Sequence, residues 1–290
     1  MHALQNHDEL TYELVHFGTT HRADAYRLGG VDYTGAELAE RIRHDLRSAI
    51  AGPAAPYNAI FTQNGIASTT ASVITACLGI SDLGAITDDD VRRVRDAHLL
   101  LAAFNALQPG VFALSGWDLV GALPVDRDDV ADLISTGDTR WIERGAFDLM
   151  GRNPEANRSA SGLPRARSLY GSLPAQLADP GSFARRLASM LHLREAHGIA
   201  TGTLLEIPLP DDPAILVMVN RLAIGAVQVS VFNFSERAAG TVVRAAALPE
   251  GRPSSTSVPA RWSAASSPST AGTPRRVGSG WTSARSRSRP

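Results

Sequence analysis

Apolar residues recur at helical spacing in three stretches of the chain. The first begins at Thr34, whose hydroxyl can cap a helix while Glu37 completes a capping box, and it continues to Ile50 before a Gly-Pro pair. The second covers 88–108 and begins with three aspartates, which suit the positive end of a helix dipole. The third is predicted to start with Asp179 as its cap. These patterns predict three amphipathic helices.

Strand-like alternation replaces the helical period after residue 198. Valines at positions 227, 229 and 231 alternate with Gln228 and Ser230, which predicts that the two sets face opposite sides of a strand. Three such segments follow one another, at 203–207, 215–221 and 227–234. Short successive strands of this kind favour an antiparallel sheet.

A different strand is predicted directly after the second helix. Residues 111–114 are apolar and follow a Pro-Gly turn, which indicates a buried, parallel-type strand, with 115–118 as the loop after it. A helix that leads into a buried strand is the repeating unit of an α/β barrel. For 57–62 the pattern does not decide between a strand and a buried loop. It indicates a helix within 67–78 and predicts a polar loop over 153–167.

Composition narrows the classes of function. The 290 residues are 44% hydrophobic and 20% charged, with a formal net charge of −1, so charge gives no reason to expect a nucleic acid or an anionic membrane as partner. Cys77 is the single cysteine, which excludes an internal disulfide, and we expect it to be buried. With no apolar run long enough to span a bilayer and no signal-peptide pattern at the start, the expected location is the cytoplasm.

The last forty residues have a different composition. From 251 to 290 the chain has no acidic residue and no Leu, Ile or Phe, so it cannot build a core, and we predict disorder there. Its final arginine-rich string could bind nucleic acid, but Trp262 and Trp281 stand too far apart in sequence to form a stacking platform. The alternative is a reading-frame shift in a GC-rich gene, a hypothesis that fits the absence of lysine throughout the chain.

The candidate chemistry begins with the string NHDELT at 6–11. Alone it is typical of a polar loop. Its context is the later string RVRDAHLLLAAFNALQPGVFALSGWDLVG at 93–121, followed by WIERGAFDLMG at 141–151 and SLYGSLPAQLADPGSFARRLASMLHLREAHGIA at 168–200. In this order the strings resemble the last two barrel units of the α-amylase family of glycoside hydrolases and the segments that join the barrel to its C-terminal β domain.

The resemblance implies roles for three residues of the first string. Asp8 matches the family's third carboxylate, which binds sugar hydroxyls and stabilises an oxocarbenium-like transition state. His7 would donate to a hydroxyl of the same glucose unit, and Asn6 would orient the loop. The second acidic residue of the string, Glu9, has no assigned role. The implied activity is transfer of an α-glucosyl group between sugars, with interconversion of maltose and trehalose preferred and hydrolysis of α-glucans as the alternative.

The departures from the family pattern limit that activity. The family's nucleophile and acid/base carboxylates stand on strands before Asn-His-Asp, where this sequence has only 1–5, so we expect the chain alone to be inactive. A rival hypothesis is an inert or carbohydrate-binding fragment. After the last strand the usual Gly-Asp-Glu is replaced by Gly-Trp-Asp-Leu, which leaves Trp117 as a sugar-stacking or core residue and Asp118 as a weak site candidate. His98, inside an apolar helix, is expected to be a buried structural histidine.

These observations predict an α/β protein built from the last strands and helices of an incomplete (β/α)8 barrel and an incomplete antiparallel β domain. The predicted boundaries are 1–197 for the barrel part with its joining helix, 198–250 for the β domain and 251–290 for the tail. The expected partner is a small sugar, namely maltose, trehalose or an α-glucan. No cofactor, metal, nucleic acid or membrane partner is expected.

Overall fold

A computed structural model describes residues 2–5, 8–248, 255–258 and 263–269 and contains both helices and strands. The helices are α1 Gly35–Ile50, α2 Thr70–Cys77, α3 Asp88–Ala106, α4 Gly116–Val120, α5 Ala131–Ile134, α6 Leu173–Ala178 and α7 Phe183–Ala196. The strands are β1 His2–Ala3, β2 Leu10–Thr11, β3 Ala25–Leu28, β4 Val31–Thr34, β5 Ala59–Thr62, β6 Gly65–Ala67, β7 Phe112–Ala113, β8 Thr203–Glu206, β9 Ile215–Arg221, β10 Val227–Asn233, β11 Ala239–Val242, β12 Ser255–Val258 and β13 Ser263–Ser269.

The chain divides into two compact units. The N-terminal unit contains the described residues of Ala3–His98 and Leu114–Arg186, and the C-terminal unit contains His2, Leu99–Ala113 and the described residues from Leu187 onward. Because α3 and α7 cross between the units, the division does not follow the order of the sequence. The domain boundaries predicted at 197 and 250 remain predictions.

The N-terminal unit contains small antiparallel sheets and two apolar clusters. Strand β6 lies between β2 and β5, and β3 pairs with β4. One cluster is centred on Ile142, Val120 and Ala67, and the other on Ile50 and Ile66. The undecided segment 57–62 is a strand over its last four residues, which form β5, and α2 confirms the helix predicted within 67–78.

Local capping explains where the long helices begin. Thr34 accepts from the Glu37 backbone N–H while the Glu37 carboxylate accepts from the Thr34 backbone N–H, so the predicted capping box of α1 is confirmed. Helix α3 confirms the second predicted helix, but the predicted start of the third is wrong. Asp179 instead follows α6, and the hydroxyl of Ser182 accepts from the Arg185 backbone N–H at the start of α7.

The C-terminal unit is built on the antiparallel sheet predicted from the alternating pattern. Its strand order is β13-β10-β9-β8, and Val229 of β10 faces Val219 of β9. The polar set of β10 is unexpectedly the more buried one, because Gln228 and Ser230 are 1% and 0% exposed. The Gln228 side-chain amide donates to the Leu107 carbonyl oxygen and to the Ser230 hydroxyl, which satisfies both of its N–H groups inside the core.

An arginine organises the C-terminal end of α3 in the same unit. The guanidinium of Arg194, on α7, donates to the carbonyl oxygens of Ala106, Gln108 and Gly110. Burial lowers the pKa of this guanidinium, and its residue is 8% exposed. The last carbonyls of a helix lack intrahelical partners, so a cation is favoured at this position.

Several local predictions differ from the structure. The predicted strand at 111–114 is reduced to β7, and Val111 is 65% exposed rather than buried. The backbone N–H of His2 donates to the Val111 carbonyl oxygen at 2.7 Å, beside β7. Cys77, expected to be buried, is exposed. The predicted disordered tail lies largely outside the described residues, but β12 pairs with β11 and β13 with β10.

Candidate functional site

The predicted site string starts with two residues, Asn6 and His7, that lie outside the described part of the chain. Asp8 follows them, and its side chain is 37% exposed. One of its carboxylate oxygens, Oδ1, accepts from Arg140 Nη1 at 2.8 Å and lies 3.8 Å from Arg144 Nη2. The candidate carboxylate is thus held by arginines that come more than 130 residues later in the sequence.

Arg140 is itself held on several sides. Its Nε donates to Asp138 Oδ1 at 2.8 Å and its Nη2 to Asp138 Oδ2 at 3.0 Å, a two-pronged pairing that fixes the plane of the guanidinium. The guanidinium carbon lies 4.3 Å from the centre of the Phe61 ring. The hydrogen bond from Arg140 lowers the pKa of Asp138 and, in return, raises the pKa of Arg140. The third nitrogen, Nη1, is the one directed at Asp8.

Glu9 lies against the same guanidinium. Its Oε2 is 3.4 Å from Arg140 Nη1, and its side chain is 11% exposed. Gly65 makes room for it, because a Cβ atom at position 65 would lie 2.6 Å from Glu9 Cγ. The residue without an assigned role in the sequence therefore shares its cation with Asp8.

A buried carboxyl group lies in the same unit. Glu143 is 3% exposed, and its Oε2 accepts from the Ser68 backbone N–H at 2.8 Å and from Gln5 Nε2 at 3.2 Å. Burial raises the pKa of Glu143 to about 8, against smaller opposing effects from the Ser68 hydrogen bond and the Arg144 charge. At pH 7 this side chain is therefore mainly a neutral carboxylic acid that joins the segment before Asp8 to Ser68, the residue directly after β6.

The other two predicted site residues lie on α4. The Asp118 side chain is 1% exposed, with Oδ1 3.3 Å from His98 Nε2, and its Oδ2 accepts from the Ser115 backbone N–H at 3.2 Å. Trp117 is half-buried and packs against the apolar cluster around Ile142. The Ser115 hydroxyl donates to the Gln5 carbonyl oxygen at 2.7 Å, which joins the start of α4 to the segment that leads to Asp8.

His98 is a buried structural histidine, as predicted. It is 0% exposed, its Nδ1 lies 3.0 Å from the Tyr170 hydroxyl, and its ring packs 4.6 Å from that of Phe183. Burial, and after it the charge of Asp118, raises the pKa of Tyr170 well above its ordinary value. Asp118 therefore has partners within the fold, while the carboxylate of Asp8 is partly open to solvent.

Sequence reasoning did not find Arg140, Asp138 or Glu143. A signal was present in the spacing of two arginines four residues apart, Arg140 and Arg144, with an aspartate before them. Such spacing is also typical of an exposed charged surface, so it did not separate a site from a solvated face. Only the folded chain shows that Arg140 and Arg144 meet at Asp8 and that Asp138 holds Arg140. Glu143 is joined to the same region through Gln5.

Other features of the described residues do not join this cluster. A surface cleft of about 870 Å³ is lined by Asp148, Glu155, Arg158 and Arg165, among others, and includes none of the predicted site residues. Within the described ranges, no group of three or more acidic, histidine or cysteine side chains is arranged to hold a metal ion. In the same part of the chain, no helix combines the length and apolar character of a membrane span.

The arrangement supports a definite chemistry. A carboxylate that remains partly exposed while arginines fix it can accept hydrogen bonds from hydroxyl groups and stabilise positive charge on a bound molecule. A single such carboxylate cannot perform double displacement at a glycosidic bond, which takes two further carboxyl groups on either side of that bond.

Comparison with known proteins gives structural neighbours only. No family model matches the chain, and no curated protein matches it. Among solved structures, Amy13B of Eubacterium rectale is 18% identical with a TM-score of 0.43, covering 64% of this chain and 36% of its own. Trehalulose synthase MutB of Pseudomonas mesoacidophila MX-45 is 14% identical with a TM-score of 0.46, and the match covers 60% of this chain and 38% of that enzyme. Trehalose-6-phosphate hydrolase of Bacillus licheniformis is 15% identical with a TM-score of 0.42, and the match covers 62% of this chain and 39% of that enzyme.

These neighbours are enzymes of the α-amylase family. The chain spans less than two fifths of the length of each of these three solved chains.

Proposed function

We propose that this chain is part of a retaining α-glucosyl-transferring enzyme similar to trehalose synthase, which interconverts maltose and trehalose. In this proposal β1 and β7 are the last strands of a (β/α)8 barrel, and the sheet of the C-terminal unit belongs to the following β domain. Asp8 is the carboxylate that binds glucose hydroxyls and stabilises the oxocarbenium-like transition state. His7 donates to the same glucose unit, and Asn6 orients the loop.

The observation that carries this proposal is the setting of Asp8. The residue stands a few positions after β1, and its carboxylate is oriented by Arg140 while more than a third of the side chain is exposed. Sites at the ends of barrel strands are built in this way, with the functional side chain in the loop after the strand. A fixed, accessible carboxylate suits a sugar, because each hydroxyl can donate to it.

The bond-breaking step requires groups beyond Asp8. In a retaining mechanism one carboxylate attacks the anomeric carbon and forms a glucosyl-enzyme, while a second carboxyl group protonates the leaving oxygen. Of the three carboxyl groups in this scheme, only the third is assigned to a residue of this chain, Asp8. We therefore propose that the 290 residues alone bind sugar without turning it over. Hydrolysis of α-glucans would use the same carboxylate with water as the acceptor.

The proposal is tested by sugar binding to the purified chain. We expect saturable binding of maltose and trehalose, measured by saturation-transfer NMR, and weakening of about tenfold or more in Asp8→Asn, which removes a charged hydrogen-bond acceptor. Asp45→Asn is the matched control, because Asp45 is also an aspartate paired with an arginine, Arg41, on the surface. No binding by the unmodified chain, or equal loss in the control, would refute the proposal. Conversion of maltose to trehalose by the chain alone would refute its assignment of roles.

A further inference from the structure

We propose that Arg140 is a positioning residue that sets the orientation of the Asp8 carboxylate for sugar binding, and that Asp138 and Phe61 act on the same site through it. The inference rests on the proposed function of Asp8. It adds residues that lie outside the string from which that function was deduced.

The geometry of Arg140 separates the nitrogens that hold the guanidinium from the nitrogen that is directed at the site. Nε and Nη2 both pair with Asp138, at 2.8 and 3.0 Å, and the flat face lies over Phe61. A guanidinium bound by two parallel hydrogen bonds and a ring face has little freedom to rotate. Its remaining nitrogen, Nη1, therefore has a fixed direction and meets Asp8 Oδ1 at 2.8 Å.

The balance of charge also fits a positioning role. Asp8, Glu9 and Asp138 surround Arg140, and the nearby Arg144 contacts Asp138 at 3.2 Å and Asp8 at 3.8 Å. Two guanidinium groups therefore stand among three acidic side chains and offset most of the repulsion between Asp8 and its acidic neighbours.

The shape of the guanidinium matters as well as its charge. A lysine at position 140 would supply one compact cation, which cannot pair with both oxygens of Asp138 and also meet Asp8 in a fixed direction. The inference therefore predicts that Arg140→Lys behaves like a loss of function at this site, although the formal charge is unchanged.

The first test measures Asp8 without any sugar. The Hα–Hβ coupling constants of Asp8, measured by NMR, report whether its side chain holds one rotamer. We expect one rotamer in the unmodified chain and in the control Arg41→Met, and averaged couplings in both Arg140→Met and Arg140→Lys. Unchanged couplings in the two Arg140 variants would overturn the inference, whatever the outcome of the sugar experiments.

The second test measures the affinity for maltose. We expect roughly tenfold weaker binding in Arg140→Met and Arg140→Lys, a smaller loss in Asp138→Asn and Phe61→Leu, and partial recovery when ethylguanidinium is added to Arg140→Ala. A merely structural role would not give recovery by a small guanidinium ion.

If Asp8→Asn loses binding while the Arg140 variants keep it, the inference fails and the proposed function stands. If the unmodified chain binds no sugar, the proposed function fails. Should the Arg140 variants not fold, Asp138→Asn and Phe61→Leu carry the same test.

Discussion

Single residues in the N-terminal unit show how burial and close approach set the chemistry around Asp8. Glu143 is the clearest case, because the fold holds a carboxyl group where solvent cannot reach it. Its Oε2 has hydrogen-bond donors from Ser68 and Gln5, whereas its Oε1 has no partner among the described residues. The neutral acid is the form that this environment favours.

Glu143 makes stability depend on pH in a definite direction. Its pKa is about 8 in the folded chain and near the ordinary 4.5 when unfolded, so the folded state binds the proton more tightly. The free energy of unfolding therefore falls as pH rises from about 4.5 to about 8, by up to ~5 kcal/mol from this group. Glu143→Gln should remove most of that slope, as measured by urea unfolding at several pH values. An unchanged slope in the variant would contradict the raised pKa.

Tyr170 permits a second test at the residue scale. Its hydroxyl is the partner of His98 Nδ1 in a buried site, so Tyr170→Phe leaves an imidazole nitrogen without that partner. We expect a loss of about 1–3 kcal/mol in unfolding free energy. Tyr33→Phe, at a half-buried position on the otherwise exposed β4, is the control and should change stability little. Equal effects in both variants would show that the hydrogen bond to His98 contributes nothing.

Elements of secondary structure were largely predictable where one local signal decided them. Helix α1 has its capping box and apolar period within one continuous stretch, and the first residues of β10 alternate clearly between valine and polar side chains. The start of α7 was mistaken because Asp179 and Pro180 are a good helix start by sequence, whereas Ser182 caps the helix in the folded chain. Burial of Gln228 could not be predicted, since its partner is the distant Leu107 carbonyl.

The end of α3 supplies a prediction at this scale. Replacing Arg194 by methionine keeps the length of the apolar stem but removes the donors to three carbonyl oxygens. We expect a loss of about 2–4 kcal/mol in unfolding free energy, because the buried Ala106 carbonyl and the part-buried carbonyls of Gln108 and Gly110 lose a charged partner. Arg92→Met is the control, since Arg92 makes an exposed ion pair with Asp89 on the same helix. A loss no greater than in the control would contradict this role of Arg194.

At the scale of the whole molecule, the sequence predicted a mixed α/β chain with a C-terminal antiparallel sheet. It could not predict the division into two units, because α3 and α7 each contribute to both and the boundary depends on contacts distant in sequence. The site was predicted only in part for the same reason. Asp8 lies in a recognisable string, whereas Arg140 becomes its partner only on folding.

The C-terminal strands give a test that separates composition from structure. Composition predicts disorder from residue 251, whereas β13 pairs with all seven residues of β10. Truncation after residue 248 removes β12 and β13 and leaves one edge of β10 unpaired. We expect faster hydrogen exchange of β10 amides in the truncated chain. Unchanged exchange would instead support the disordered tail predicted from composition.

The most direct test of the central claim, that Asp8 belongs to a sugar site positioned by Arg140, is amide chemical-shift mapping of the unmodified chain with maltose and with trehalose. The account predicts saturable shifts confined to residues 6–11 and 138–144, and their loss in Asp8→Asn. Shifts centred on the surface cleft lined by Asp148, Glu155, Arg158 and Arg165, or no saturable shifts at all, would contradict it.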